Sequence, residues 1–206
     1  MAGIFITFEG GDGSGKSTQV ALLTDWLVAE GRTVVHSREP GGTDLGEELR
    51  EIILHRRGYI APRAEALLYA ADRAHNIATK VRPAVERGDV VIQDRYFDSS
   101  VAYQGAGRVL DATEVRNLSL WATEGLIPEL TILLDLDAHA GRDRLAATEG
   151  AYDRLEAEKH DFHERVRDAY LELAAQEPKR FLVLDATSSI EAIAGSIRER
   201  VAALLT

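Results

Sequence analysis

The sequence predicts an α/β fold in which one five-stranded parallel sheet is covered by helices on both faces. Two observations predict it. Five short, almost continuously apolar segments recur along the 206 residues, and stretches with helical spacing separate them. Strands that are buried on both faces are typically continuous apolar runs, whereas half-exposed strands alternate. No repeat or low-complexity linker interrupts the pattern, so we expect a single domain over residues 1–206.

The first half of the chain opens with a strand and a helix around a glycine cluster. Residues 3–8 form an apolar, β-branched and aromatic run that predicts a buried strand. Residues 16–30 carry apolar side chains at helical spacing, and Gly31 ends the helix. A second strand is predicted at 33–36 and a helix at 44–54.

The second half repeats the alternation. Residues 62–86 predict a long helix that is bent or broken at Pro83, because proline removes a backbone donor and clashes with the preceding turn. The capping pattern Ser188-x-x-Glu191 predicts the start of the last helix. The remaining elements are predicted as strands at 89–93, 129–136 and 180–184 and as helices at 99–103 and 112–124, with further helices around an irregular stretch near 148–152.

Composition excludes several classes of protein. Lysine plus arginine total 24 and aspartate plus glutamate 34, which gives a net charge of −10. This balance argues against a broad nucleic-acid or anionic-membrane surface, since such surfaces need excess cations. Cysteine is absent, so disulfides and thiolate metal sites are excluded, and the composition fits a reducing compartment such as the cytoplasm. We expect no signal peptide and no spanning helix.

A phosphate-binding loop lies between the first strand and the first helix. The motif is Gly10-Gly11-Asp12-Gly13-Ser14-Gly15-Lys16-Ser17, followed by Thr18. Glycines permit the backbone geometry that points N–H groups at phosphate oxygens, and the helix N-terminus favours the same anion. Lys16 supplies a cation for the β and γ phosphates, and Ser17 a hydroxyl for Mg²⁺. The motif predicts binding of ATP with Mg²⁺.

Arginines and an acid stand at the carboxyl ends of other strands. Arg38 follows the second strand and Arg95 the third, so both should converge with Lys16 on one crevice. Three cations in a chain of net charge −10 suit ATP plus a second phosphate. Asp94 closes the third strand, where P-loop enzymes place an acid that holds Mg²⁺ directly or through water. Asp135, at the end of the fourth strand, is a rival for that role.

Tyr69 and Arg73 lie four residues apart in a predicted helix, so they share a face. A ring and a guanidinium on one face can stack on a nucleobase and hydrogen-bond to it. The same spacing also fits a core tyrosine beside a solvated arginine, and spacing alone favours that reading.

These motifs together resemble the thymidylate kinase family over almost the whole chain. The matching segments are Phe8-Glu9-Gly10, Arg38-Glu39-Pro40-Gly41-Gly42-Thr43, Leu67-Leu68-Tyr69-Ala70-Ala71-Asp72-Arg73, Asp94-Arg95-Tyr96-Phe97-Asp98-Ser99-Ser100-Val101-Ala102-Tyr103-Gln104-Gly105 and Asp153-Arg154. The resemblance implies a P-loop nucleotide-kinase fold with a short lid at about 142–154, a homodimer, and transfer of the ATP γ-phosphoryl group to dTMP.

The resemblance also implies roles for residues. Asp12 would contact the sugar 3′-hydroxyl region, Arg38 and Arg95 would hold the dTMP phosphate, and Tyr103 would exclude a ribose 2′-hydroxyl. Tyr69 would stack on thymine and Arg73 would hydrogen-bond to it. The other implied substrate-binding residues are Pro40, Ser99, Ser100, Gln104 and Asp161, and Glu39–Pro40 is implied as a cis peptide bond.

Two departures from the family concern catalysis. Position 13 is glycine, where some members carry a catalytic arginine, and the middle of the lid has no arginine. The role therefore falls on Arg142, Arg144 or Arg154, of which the last two enter the predicted catalytic set with Lys16, Arg95 and Asp12. Two alternative functions stay open. The chain could be another nucleoside or nucleotide kinase of the same fold, or a P-loop regulatory ATPase.

Overall fold

The computed structural model describes residues 3–56, 58–108, 110–146 and 153–205. Its strands are β1 (Ile4–Glu9), β2 (Val34–Arg38), β3 (Val90–Asp94), β4 (Leu130–Asp135) and β5 (Phe181–Asp185). They form one parallel sheet in the order β2-β3-β1-β4-β5. The predicted fold class is confirmed, and every strand boundary lies within two residues of its predicted position.

Helices connect the strands. The helices of the described residues are α1 (Lys16–Ala29), α2 (Asp44–Arg50), α3 (Pro62–Asn76), α4 (Arg82–Arg87), α5 (Phe97–Ser100), α6 (Ala112–Ala122), α7 (Ala138–Ala146), α8 (His160–Gln176) and α9 (Ile190–Ala202). In the described part of the chain, three π-helical segments continue α2, α3 and α5, namely Glu51–His55, Ile77–Val81 and Val101–Gly107. None of the described helices combines the length and apolar character needed to cross a membrane.

Both faces of the sheet are buried. Neighbouring residues of a strand point to opposite faces. Ile6 belongs to a core with Leu23 of α1 and Ile197 of α9. Phe5 belongs to a second core with Ile77, on the opposite face. This two-sided burial explains why the strand segments are continuously apolar.

The strand register aligns the polar carboxyl ends. Asp94 of β3 is level with Phe8 of β1 on one side and with Arg38 of β2 on the other. The chain leaves β1 at Glu9 and enters the glycine-rich loop before α1. The loop and the strand-end side chains therefore meet at one edge of the sheet, as the sequence predicted.

The predicted break at Pro83 was wrong in position. The chain stays helical from α3 into α4, and the irregular turn is the π segment Ile77–Val81 that precedes the proline. A proline ring clashes with the carbonyl four residues earlier. For Pro83 this carbonyl is that of Thr79, which lies inside the π segment, and the wider π turn makes room for it beside the proline ring. Pro83 itself occupies the first turn of α4, where a missing N–H costs little.

The predicted cap of the last helix is shifted by one residue. Ser189, rather than Ser188, is the N-cap of α9, and its side chain accepts a hydrogen bond from the N–H of Ala192 at 3.2 Å. Ser188 lies one residue before the cap. The capping hydroxyl is that of Ser189, because it reaches the N–H three residues later in the chain.

Candidate active site

The glycine-rich loop has the backbone geometry that phosphate binding requires. Gly10, Gly13 and Gly15 have φ values of 130°, 76° and 94°, which side-chain-bearing residues rarely adopt. Lys16 starts α1, and its Nζ donates to the carbonyls of Gly10 (3.1 Å) and Gly11 (2.9 Å). The loop thus holds its lysine close to the N-terminus of α1, ready for an anion.

A crevice of about 570 Å³ opens beside this loop. It collects residues from β2, β3, α3, α5 and the π segment Val101–Gly107. The predicted site residues that line it are Asp12, Gly13, Gly15, Lys16, Ser17, Thr18, Arg38, Pro40, Tyr69, Arg73, Asp94, Arg95, Ser99, Ser100, Tyr103, Gln104 and Arg144. The expected convergence of Lys16, Arg38 and Arg95 is confirmed.

Arg95 links the crevice to the glycine-rich loop. It has a φ of 66°, which is uncommon for a residue with a side chain, and its N–H donates to the carbonyl of Phe8 at 2.9 Å. Its Nη2 lies 2.5 Å from Asp12 Oδ1, and its Nη1 donates to the Gly10 carbonyl at 3.0 Å. The guanidinium lies 5.2 Å from the ring centre of Tyr103. Backbone and side chain together fix this cation at the crevice.

Charges inside the site influence one another. Burial alone would raise the pKa of Asp12, but the cations of Arg95 and Lys16 outweigh it and hold that pKa below its ordinary value. Burial and the neighbouring Arg95 lower the pKa of Lys16. An anion placed between these two cations would offset their repulsion.

Behind the glycine-rich loop, Glu9 anchors the residues around Arg95. Its buried carboxylate accepts hydrogen bonds from Ser99 Oγ (2.5 Å), Tyr170 OH (2.9 Å) and the N–H of Tyr96 (2.8 Å). Burial and the negative charge of Asp98 raise the pKa of Glu9 to about 7. Sequence reasoning missed Glu9 and Tyr170 as supports, because 161 residues separate them.

Arg73 is anchored from behind while it borders the crevice. Its side chain is 1% exposed, and its Nε donates to Glu39 Oε2 at 2.7 Å. Its Nη2 donates to Ser100 Oγ at 3.0 Å and its Nη1 to Ser119 Oγ at 2.9 Å. The Glu39–Pro40 peptide bond is cis, as expected.

Comparisons with known proteins match this arrangement. The thymidylate kinase family model matches residues 8–197. The chain belongs to the thymidylate kinase family. It is 68% identical over 205 residues to a thymidylate kinase of Clavibacter sepedonicus, and the alignment covers 100% of this chain and 97% of that protein. It is 72% identical over 198 residues to that of Leifsonia xyli, covering 96% and 94%. A crystal structure of thymidylate kinase from Ehrlichia chaffeensis superposes with a TM-score of 0.79 at 29% identity, covering 98% and 99%.

Asp94 fits a magnesium role in this thymidylate kinase fold better than Asp135 does. Asp94 Oδ1 is buried and has no hydrogen-bond partner among the described residues, and Ser17 shares the crevice wall with it. Such an orphan acceptor suits Mg²⁺ or its bound water. Asp135 instead accepts two hydrogen bonds from Arg167, at 2.7 and 2.9 Å. No three His, Cys, Asp or Glu side chains in the described ranges form a metal cluster.

In the segment 153–161, the acids that line the crevice differ from the predicted one. Asp161 is exposed on α8 and is not among the described residues that line the crevice. Asp153 and Glu156 line it instead. The placement of Asp161 in the thymidylate kinase acceptor pocket is therefore corrected. The segment is so rich in acids that spacing could not distinguish them, whereas the turn at 153–156 faces two of them inward.

Two of the three candidate lid arginines, Arg144 and Arg154, have described side chains, and their surroundings differ. Arg144, on α7, lines the crevice and donates to the carbonyls of Gly13 (3.4 Å) and Ala186 (3.1 Å). Arg154 does not line the crevice, because its Nε donates to the Ile53 carbonyl at 2.9 Å and its Nη2 is 2.5 Å from Glu65 Oε2. The part of the predicted lid at 147–152 and the side chain of Arg142 lie outside the described residues.

A second buried acid lies beneath the loop that follows β2. Both oxygens of Asp72 are 3.3 Å from the N–H of Gly41, and its side chain is fully buried. Burial and the negative charge of Glu39 raise the pKa of Asp72 to about 7. This carboxyl therefore binds a proton more tightly in the folded enzyme than in the unfolded chain.

The raised pKa predicts how stability depends on pH. The contribution of Asp72 is fully present below its ordinary pKa, near 3.8, and is lost as the pH rises through about 7. Asp72→Asn removes this loss. We therefore expect the free energy of unfolding of Asp72→Asn, relative to that of wild type, to rise by roughly 2–4 kcal/mol between about pH 4 and pH 8. Urea unfolding of both proteins at the two pH values measures the difference. Glu9 titrates in both proteins and cancels, and a pH-independent difference would contradict the prediction.

Proposed function

We propose that this chain binds ATP through the glycine-rich loop and dTMP in the arginine-lined half of the crevice. Phosphorylation of dTMP is the reaction of the family to which the chain belongs. The observation that carries the assignment is the gathering of Lys16, Arg38, Arg73 and Arg95 around one crevice in a chain of net charge −10. Such a local inversion of charge fits two anionic substrates.

The chemistry asks for positioning and cations more than for a base. A phosphate monoester is largely dianionic at pH 7, since its second pKa is about 6, and it is already a nucleophile. The obstacle is the approach of two anions and the spread of charge over the transferring group. We assign Arg95 and Arg38 to the dTMP phosphate, Lys16 to the transferring phosphoryl group, and Asp12 to the orientation of Arg95 and the sugar.

Arg38 is available for this task although it has a partner. Its Nη2 contacts both carboxylate oxygens of Glu47, at 2.8 and 3.0 Å, and both side chains are about half exposed. Exposed ion pairs contribute only about 0–1 kcal/mol. A phosphate dianion can therefore compete with Glu47 for Arg38.

The assignments for the thymine base and the sugar rest on buried side chains that line the crevice. Tyr69 is buried but lines the crevice, so its ring offers a stacking surface for thymine, with Arg73 and Ser100 at hydrogen-bonding range of each other. Tyr103 also lines the crevice with a buried side chain, whose bulk suits exclusion of a ribose 2′-hydroxyl. Pro40, Ser99 and Gln104 complete the proposed pocket.

We assign the transition-state arginine to Arg144, because its guanidinium lies against the glycine-rich loop and its neighbours leave it exposed. Ser17 and Asp94 would hold Mg²⁺, directly or through water. The ion, when bound, neutralises phosphate charge. Thr18 lies next to Ser17 on the nucleotide side.

A panel of acceptors tests the proposed function. ADP release from ATP and Mg²⁺ should rise with dTMP far more than with AMP, GMP or CMP. A preference for one of the other monophosphates would indicate a different nucleotide kinase of the same fold. Slow hydrolysis that no acceptor stimulates would indicate a regulatory ATPase.

Assembly and location are further parts of the proposal. Helices α2, α3 and α6 pack side by side and expose the apolar side chains of Leu45, Leu67 and Trp121, a feature of protein interfaces. Trp121 is 80% exposed. We propose a homodimer through this face, which light scattering can test. We also propose a single domain over residues 1–206 with a lid at about 142–154, and a cytoplasmic location, to be checked by cell fractionation.

A further inference from the structure

Glu65 is a buried carboxylate that the proposed reaction does not use. It lies in the first turn of α3, and its side chain is 1% exposed. Its Oε1 accepts hydrogen bonds from Gln104 Nε2 (3.0 Å) and Arg108 Nε (3.3 Å), and its Oε2 forms an ion pair with Arg154 Nη2 at 2.5 Å. A buried carboxylate is costly unless it is paired in this way.

The partners of Glu65 come from two walls of the crevice. Gln104 belongs to the π segment Val101–Gly107 and lines the crevice from one side. Arg154 belongs to the turn at 153–156, whose residues Asp153 and Glu156 line it from another side. The turn is also held by the N–H of Arg154, which donates to the Leu54 carbonyl at 3.2 Å. Glu65 therefore joins two wall segments that are 50 residues apart in sequence.

The carboxylate also sets the orientation of the Gln104 side chain. A carboxylate only accepts hydrogen bonds, so it selects the NH₂ end of the amide. The carbonyl end of Gln104 is then turned away from Glu65. A glutamine at position 65 would lose this selection, because an amide presents a donor as well as an acceptor.

We propose that Glu65 is a positioning residue for the acceptor pocket, fixing Gln104 on one wall and, through Arg154, the turn at 153–156 on the other. The inference rests on the proposed function and assigns to Arg154 an anchoring role. It predicts that loss of Glu65 or Arg154 weakens dTMP binding and leaves ATP binding unchanged, because the ATP phosphates lie at the glycine-rich loop.

Glu177 provides a matched control. It also bridges two arginines, accepting from Arg116 Nη2 at 3.0 Å and from Arg180 Nε at 2.8 Å. None of these three residues is among the described residues that line the crevice. Glu177→Gln therefore removes a bridge of the same chemistry with a structural role alone.

The experiment compares wild type, Glu65→Gln, Arg154→Met, the double variant and Glu177→Gln. Calorimetry gives the Kd for dTMP, steady-state kinetics give KM for each substrate and kcat, and thermal unfolding gives Tm. We expect both single variants to raise the Kd and KM for dTMP on the order of tenfold, because each breaks the buried ion pair that holds the turn at 153–156. The double variant should bind dTMP no more weakly than Glu65→Gln alone, because Glu65→Gln already breaks the connection to Arg154. KM for ATP should stay within about twofold.

Glu177→Gln should lower Tm and leave the Kd for dTMP unchanged. If Glu65→Gln does not fold, Arg154→Met still tests the connection, because Gln104 and Arg108 continue to pair with Glu65. A wild-type Kd for dTMP in Arg154→Met, or an equal rise in Glu177→Gln, would overturn the inference alone. A wild-type enzyme that does not bind dTMP would overturn the proposed function, and the inference with it.

Discussion

Arg95→Ala is expected to lower kcat/KM for dTMP by on the order of 10²-fold to 10³-fold. The backbone N–H of Arg95 donates to the Phe8 carbonyl, and its guanidinium contacts Asp12 and Gly10. The remaining donors of the guanidinium are therefore preorganised for an anion. Two charge-assisted hydrogen bonds to the dTMP phosphate contribute about 1.5–3 kcal/mol each. Steady-state kinetics with varied dTMP measure the loss.

Two companion variants make the Arg95 result specific. Arg95→Lys keeps the charge but loses the forked geometry, so we expect an intermediate rate. Arg87→Ala, at an exposed arginine that pairs with Asp89 at the end of α4, should behave like wild type. ATP binding should survive in Arg95→Ala, because Lys16 and the loop N–H groups remain. Near-normal turnover would remove Arg95 from the mechanism.

Arg144→Ala is expected to lower kcat by on the order of 10³-fold, with little change in KM for dTMP. An arginine that stabilises the transferring phosphoryl group contributes on that scale. Arg144 reaches the carbonyl of Gly13 because glycine at that position leaves room for α7, whose Gly141 carbonyl would lie 2.7 Å from an added Cβ. Single-turnover kinetics separate this effect from product release.

The other two lid arginines serve as comparisons. Arg154→Ala should act mainly through KM for dTMP, because its guanidinium is bound to Glu65 and Ile53. Arg142→Ala should retain most of the wild-type kcat. Equal kcat in all three variants would mean that the transition-state charge comes from elsewhere in the enzyme.

Local patterns were enough to predict the parts of the site that depend on chain order. The glycine-rich loop is contiguous, and Arg38, Asp94 and Arg95 stand at strand ends that a parallel sheet aligns. The helical spacing of Tyr69 and Arg73 placed both on the crevice wall, although spacing alone favoured a core tyrosine. The continuous apolar character of the strands predicted a sheet buried on both faces, because that pattern too is local in the sequence.

Contacts between distant segments could not be predicted this way. Glu65 and Arg154 are 89 positions apart and no motif contains both, so nothing in the sequence showed that they pair. Asp161 stands in an acidic, solvated stretch where spacing cannot tell which carboxylate faces inward. The π segment before Pro83 depends on how the helix accommodates the proline ring, which composition does not reveal.

Transfer of label from ATP labelled in its γ-phosphoryl group tests the central assignment most directly. With Mg²⁺ and dTMP, the label should appear in dTDP, and the rate should depend on dTMP and fall strongly in Arg95→Ala. Label in inorganic phosphate at a rate that dTMP does not change, or transfer to AMP, GMP or CMP in preference to dTMP, would contradict the assignment.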